Sequence, residues 1–150
     1  TLLAQERLAQ EFQIASDVWS VTSYKELRRE AMEVERWNLL HPTEKPRPSY
    51  VEQQFAGRKG PYIAASDYMH LIPEQIAKWM PERLVTLGTD GFGRSDTREA
   101  LRRHFEVDAA HIAFAAISEL HRRGAVDAPF VQRAIQSLGI DPEKINPVSA

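Results

Sequence analysis

No cysteine occurs among the 150 residues. That absence removes disulfides, thiolate nucleophiles, thiolate zinc sites and iron–sulfur clusters together, and it suits a reducing compartment. Long apolar runs are missing as well, none approaching the roughly 20 residues of a membrane-spanning helix. Charge of one sign is also lacking. The 19 basic and 21 acidic side chains leave a formal charge of −2, so no electrostatic footprint for nucleic acid or an anionic membrane dominates. The expectation is a cytoplasmic protein with no nucleic-acid and no membrane partner. What is present is ordinary globular usage, 43% hydrophobic and 27% charged, which excludes a wholly disordered or collagen-like chain. At roughly 100–200 residues per domain, the length argues for one domain. The expected division is a domain over 1–140 and a loose tail over 141–150 that carries two prolines.

The chain opens without methionine and runs at once into an amphipathic helix, with Ala4, Leu8 and Phe12 at i, i+4 and i+8. So abrupt a start reads as a piece cut from a longer polypeptide. Asp17–Val21 is short and β-rich and is expected to be a strand. Ser23 with Glu26 forms a capping-box signal for a helix to about Leu39. His41–Pro42 stops that helix, and the prolines to Pro48 predict an extended connector. The apolar runs Tyr62–Ala65 and Leu84–Leu87 are continuous rather than alternating, as in strands covered on both faces. Between them a helix is predicted from about Pro73 to Met80. Asp96 with Glu99 signals another helix start, and two further helices are predicted, Ala109 to about Arg123 and Pro129 to Leu138. Strand alternating with helix gives the α/β class with right-handed parallel crossovers.

In an open parallel sheet, partners and ligands meet the loops beyond the carboxyl ends of the strands. All three predicted strands end in polar clusters: Ser20, Thr22 and Ser23; Ser66 and Asp67; Thr89, Asp90, Arg94, Ser95 and Asp96. The turn Asp90–Asp96 is the sharpest single feature. Its glycines permit close backbone approach, yet its spacing matches neither a dinucleotide fingerprint nor a P-loop. It reads as a docking loop for a second subunit, with Phe92 as apolar anchor and Arg94 paired across the contact. Asp90, Phe92, Arg94, Ser95, Asp96 and Asp67 are therefore the candidate interface residues. The competing readings are ordinary turns and caps, or an anion held at the Gly91–Gly93 turn by an independent metabolite-binding module. Arg94, Arg98 and Arg102 could share a helical face, but Glu99 and Glu106 interrupt it, so a solvated face is preferred to a nucleic-acid stripe. The histidines lack zinc-ligand spacing, and nothing assembles a nucleophile, a base and an oxyanion site.

Four segments, with Phe105-Glu-Val-Asp, carry a resemblance in the right order over nearly the whole chain. They are Asp17-Val-Trp-Ser-Val-Thr-Ser, Glu35-Arg-Trp-Asn-Leu-Leu-His-Pro-Thr-Glu, Gly60-Pro-Tyr-Ile-Ala-Ala-Ser-Asp-Tyr-Met and Leu87-Gly-Thr-Asp-Gly-Phe-Gly-Arg-Ser-Asp-Thr-Arg. The chain resembles the last, transketolase C-terminal-type domain of the homodimeric, acetyl-transferring pyruvate dehydrogenases. The resemblance implies a three-layer α/β/α domain with a mostly parallel sheet, lacking upstream strands that lie before Thr1. It implies thiamine diphosphate and magnesium bound by the other domains of a homodimer. The acetyl unit from pyruvate would pass to lipoyl groups of a dihydrolipoyl acyltransferase component. The family's diphosphate motif and catalytic residues have no counterpart here, so no catalytic, cofactor-binding or metal residue is assigned. One departure is His104, where an aromatic residue is expected before Phe105. A related 2-oxo acid such as 2-oxobutyrate is the alternative substrate. The missing strands predict open edges and a need for upstream sequence to complete the fold.

Overall fold

Caps and apolar spacing decide most of the elements. The computed structural model describes residues 1–150. Helix α1 (Leu2–Phe12) ends where Gln13 turns into the left-handed conformation. Helix α2 (Tyr24–Leu40) starts at Ser23, whose hydroxyl accepts the Glu26 N–H at 3.3 Å. Only half of the expected box forms, because the Glu26 carboxylate turns to Arg29. The complete box lies further on. Ser49, fully buried, accepts from the Glu52 amide while Glu52 accepts from the Ser49 amide at 2.7 Å, and this starts α3 (Tyr50–Phe55).

Strand β1 (Tyr62–Ala65) pairs in parallel with β2 (Leu84–Leu87), Tyr62 opposite Leu84 and Ala65 opposite Leu87. The crossover between them is not the single helix expected over 73–80. It is a short α4 (Leu71–Glu74) followed by a 3₁₀ turn at Ala77–Trp79. The buried residues Pro73, Ile76 and Trp79 recur every three positions, and that period suits the pitch of 3.0 residues per turn, not 3.6. Helices α5 (Arg98–His104), α6 (Ala109–Arg122) and α7 (Ala128–Leu138) complete the chain. The cap of α5 is Thr97 and not Asp96; the Asp96 carboxylate instead accepts the Thr97 N–H at 2.7 Å. Asp108 caps α6, taking both the backbone N–H of His111 at 2.9 Å and its Nδ1 at 2.7 Å. Partial burial works against the Asp108 charge, but these bonds from His111 override it and hold the carboxyl far below its ordinary range.

Two apolar clusters lie on opposite faces of the sheet. The larger joins Ala4 and Leu8 of α1, Ala113 and Ile117 of α6, and Ala134 and Leu138 of α7, with Ala65 and Leu87 packed against it. The smaller joins Ala31, Val51, Ile76 and Trp79, with Leu84 packed against it. Helices thus cover both faces of the sheet, which gives the three-layer α/β/α arrangement.

The expected first strand is a correction. Asp17–Val21 forms no strand and joins no backbone ladder, and the sheet has two strands rather than three. A strand forms only where a neighbour offers a ladder. Asp17–Val21 is held by side chains instead: Asp17 pairs with Arg58 at 2.9 Å, and Trp19 packs on Phe55 at 5.3 Å. With both outer edges open, every residue of β1 and β2 is only half-buried. Residues 141–150 form no helix or strand and are mostly exposed, but Pro147 is buried and Lys144 bonds to the end of α5.

Candidate functional site

Parallel pairing sends the carboxyl ends of β1 and β2 to one edge, and the two following loops interlock there. The Ser66 N–H donates to the Leu87 carbonyl at 3.0 Å, continuing the ladder by one step, and the Thr89 N–H donates to the Tyr68 carbonyl at 3.0 Å. Gly88 makes this approach possible. A Cβ on it would stand 2.5 Å from the His70 backbone nitrogen and 2.8 Å from the Tyr68 oxygen.

Two polar pairs fasten the edge. The Asp90 carboxylate accepts the His70 backbone N–H at 2.7 Å and a second, short bond from His70 Nδ1. Arg102 reaches from α5 and binds Asp67 with two parallel bonds, 3.1 and 2.7 Å. The backbone N–H of His70, then its ring, holds the Asp90 carboxyl below the usual carboxylate range, and Arg102 does the same for Asp67. A carboxyl depressed in the folded state binds fewer protons there than in the unfolded chain. Its contribution to stability is therefore full above the unfolded value of about 3.9 and fades as pH falls through the folded value. We predict that the urea midpoint drops on acidification below about pH 4 and that Asp90→Asn flattens this drop. Identical acid limbs for the two proteins would contradict it.

The predicted residues divide clearly. Asp67 and Asp90 come together at the edge, whereas Ser20, Thr22 and Ser23 belong to no strand and do not join them. Arg94, Ser95 and Asp96 share an open cleft with Phe92, Leu101, His104 and Ala150. Phe92 is 84% exposed, and Arg94 makes no hydrogen bond or ion pair within the chain. The supposed arginine face dissolves, because Arg94 precedes α5 and Arg102 is committed to Asp67. Tyr68 and Met69, in the loop after β1, add exposed apolar surface. Sequence reasoning missed His70, Arg102 and the tail as parts of this edge. Their partners lie 20 to 35 or more positions away in the chain, and no local pattern announces such pairs. His104 stands where an aromatic was expected. Burial, then the positive charge of Arg94 and Lys144, lowers its pKa, and the ring packs edge-on against Phe105 at 4.8 Å.

Chemically, the edge is a set of fasteners. The Ser66 hydroxyl accepts the Tyr68 N–H at 3.0 Å, and the Thr89 hydroxyl donates to the Asp67 carbonyl at 3.0 Å, so both tie the loop that follows β1. Nor does the donor set suit a magnesium diphosphate. The two acids at the edge are engaged by Arg102 and His70, and no three acidic or imidazole groups converge.

Residues 1–108 match the family model of the transketolase-like TK C-terminal domain. The chain is 52% identical over 146 residues to the pyruvate dehydrogenase E1 component of Pseudomonas aeruginosa, covering 97% of this chain and 17% of that protein. It is 48% identical over 145 residues to the protein of the same name from Escherichia coli K12, covering 96% and 16%. The Mycolicibacterium smegmatis counterpart is 46% identical over 140 residues, covering 93% and 15%. The chain thus spans about a sixth of the length of these relatives. A parallel sheet covered on both faces, its carboxyl edge closed by the Gly88–Asp96 loop, and a family match over more than half the residues lead to one conclusion: this chain belongs to the transketolase C-terminal domain family, and it is homologous to the C-terminal part of pyruvate dehydrogenase E1 components.

Proposed function

We propose that this domain serves assembly in a homodimeric, thiamine-diphosphate-dependent pyruvate dehydrogenase that passes acetyl groups to the lipoyl groups of a dihydrolipoyl acyltransferase component in the cytoplasm. Its part is a dimer contact built on Asp90, Phe92, Arg94, Ser95 and Asp96, with Asp67 bracing the loop from below. Thiamine diphosphate and magnesium belong to the other domains of that enzyme, and no reaction step runs through this chain. The observation that carries the reading is the pairing of an aromatic ring exposed to 84% with an arginine that has no partner in its own chain, both on a loop fixed at the sheet edge. A large apolar group and a free guanidinium side by side are what a contact hot spot uses. The reading as an anion module has less to stand on, because the close approach that Gly91 permits is taken up by the Pro147 backbone.

The experiment is Arg94→Ala in the full-length enzyme, with sedimentation velocity and turnover measured together. Dimerisation is expected to weaken on the order of tenfold or more, with activity falling in step as subunits separate. Unchanged sedimentation and turnover would remove the proposal. Heat on titrating inorganic phosphate into the wild-type protein, lost in the variant, would favour the anion reading.

A further inference from the structure

Residues 141–150 form two successive turns, each opened by an acidic or amide side chain followed by proline. Asp141 accepts the Glu143 N–H on its side chain at 2.9 Å and the Lys144 N–H on its carbonyl at 3.3 Å. Asn146 repeats the pattern with Val148 at 3.0 Å and Ser149 at 2.9 Å. These local bonds give the segment a fixed course without helix or strand.

Lys144, between the two turns, reaches the end of α5. Its ammonium donates to the His104 carbonyl at 2.6 Å, the Arg103 carbonyl at 3.2 Å and the Glu106 carboxylate at 3.0 Å, so three donors meet three acceptors. Both carbonyls belong to the last turn of α5, where helical partners run out. Glu106 stands at φ 61°, the left-handed position that ends a helix and normally favours glycine. That turn is fixed by the Val107 N–H donating to the Arg102 carbonyl at 2.9 Å and by burial of Val107, and it is the turn whose carboxylate meets Lys144.

From this latch the chain runs to Pro147, which is buried against the strand-end loop. Gly91 stands at φ 115°, and a Cβ there would lie 2.4 Å from the Pro147 oxygen and 3.2 Å from the Val148 Cα. Ala150 then lines the cleft shared with Phe92 and Arg94. We infer that residues 144–150 are a strap that positions the Gly91–Arg94 loop, with Lys144 as its latch and Gly91 as its seat. Phe92 has almost no packing of its own, so the strap holds the backbone that presents it. The consequence for assembly rests on the contact role proposed above; the positioning itself does not.

The test uses hydrogen exchange on the full-length polypeptide with two variants. Lys144→Met removes the three bonds and keeps the aliphatic stem. Gly91→Ala pushes Pro147 off its seat from the other side. Both are expected to speed exchange of the Thr89 amide, which the loop keeps bonded to the Tyr68 carbonyl, by about tenfold or more, while the amides of β1 and β2 stay within about twofold of wild type. Faster loop exchange with an intact dimer supports the strap and counts against the contact role. Unchanged loop exchange in both variants overturns the strap, whatever the dimer does.

Discussion

Gly88→Ala is expected to destabilise the domain by about 2–3 kcal/mol and to undo the strand-end edge, although it adds only one methyl group. The reason is what that methyl meets. Its three nearest neighbours are backbone atoms, at 2.5 Å from the His70 nitrogen, 2.8 Å from the Met69 carbonyl carbon and 2.8 Å from the Tyr68 oxygen. A side-chain tip could swing away, but backbone cannot do so without separating the loops that follow β1 and β2. The bonds from Thr89 to Tyr68 and from His70 to Asp90 would go with that separation. Gly93, five residues on, is the control, since a Cβ there meets nothing within 4 Å and its φ is not left-handed. Gly93→Ala should shift stability by less than about 0.5 kcal/mol. Equal urea midpoints for the Gly88→Ala and Gly93→Ala proteins would show that the loops do not meet as described.

Ile117→Ala should cost more, about 2–5 kcal/mol. Ile117 is fully buried at the centre of the larger cluster, where α1, α6 and α7 converge. Truncation there loses transfer energy and leaves a cavity walled by three helices that cannot all collapse into it. Exposed apolar residues behave differently: Leu39, 79% exposed at the end of α2, should tolerate alanine at a cost below about 0.5 kcal/mol. Denaturant unfolding distinguishes the two outcomes, and a small loss at Ile117 would mean that the helices do not enclose it.

Much of the fold is legible locally. Continuous apolar runs mark strands β1 and β2, the four-residue spacing of Ile112, Ala116 and Leu120 marks α6, and Gly139, which does adopt the left-handed cap, marks the end of α7. The failures have a common physical origin. Val18 to Val21 have strand composition, but composition cannot supply a neighbour, and the segment stays unpaired and partly exposed. Residues 73–80 suggest a helix, but the three-residue spacing of Pro73, Ile76 and Trp79 selects a tighter turn. The Ser49–Glu52 box lies directly behind the prolines that announce a connector, and they mask its helix-start signal. At the site, the loop composition pointed to the sheet edge. The pairs that fix it, Asp67 with Arg102 and Gly91 with Pro147, join distant positions, and only the fold brings them together.

Sedimentation equilibrium of the full-length enzyme carrying Phe92→Asp tests the assembly role most directly. The ring is 84% exposed within this chain, so a charge in its place leaves the domain fold intact and acts only on what docks there. If Phe92 anchors the proposed dimer contact, the variant shifts from dimer to monomer at concentrations where the wild type stays paired. A variant that remains dimeric with full turnover would contradict it.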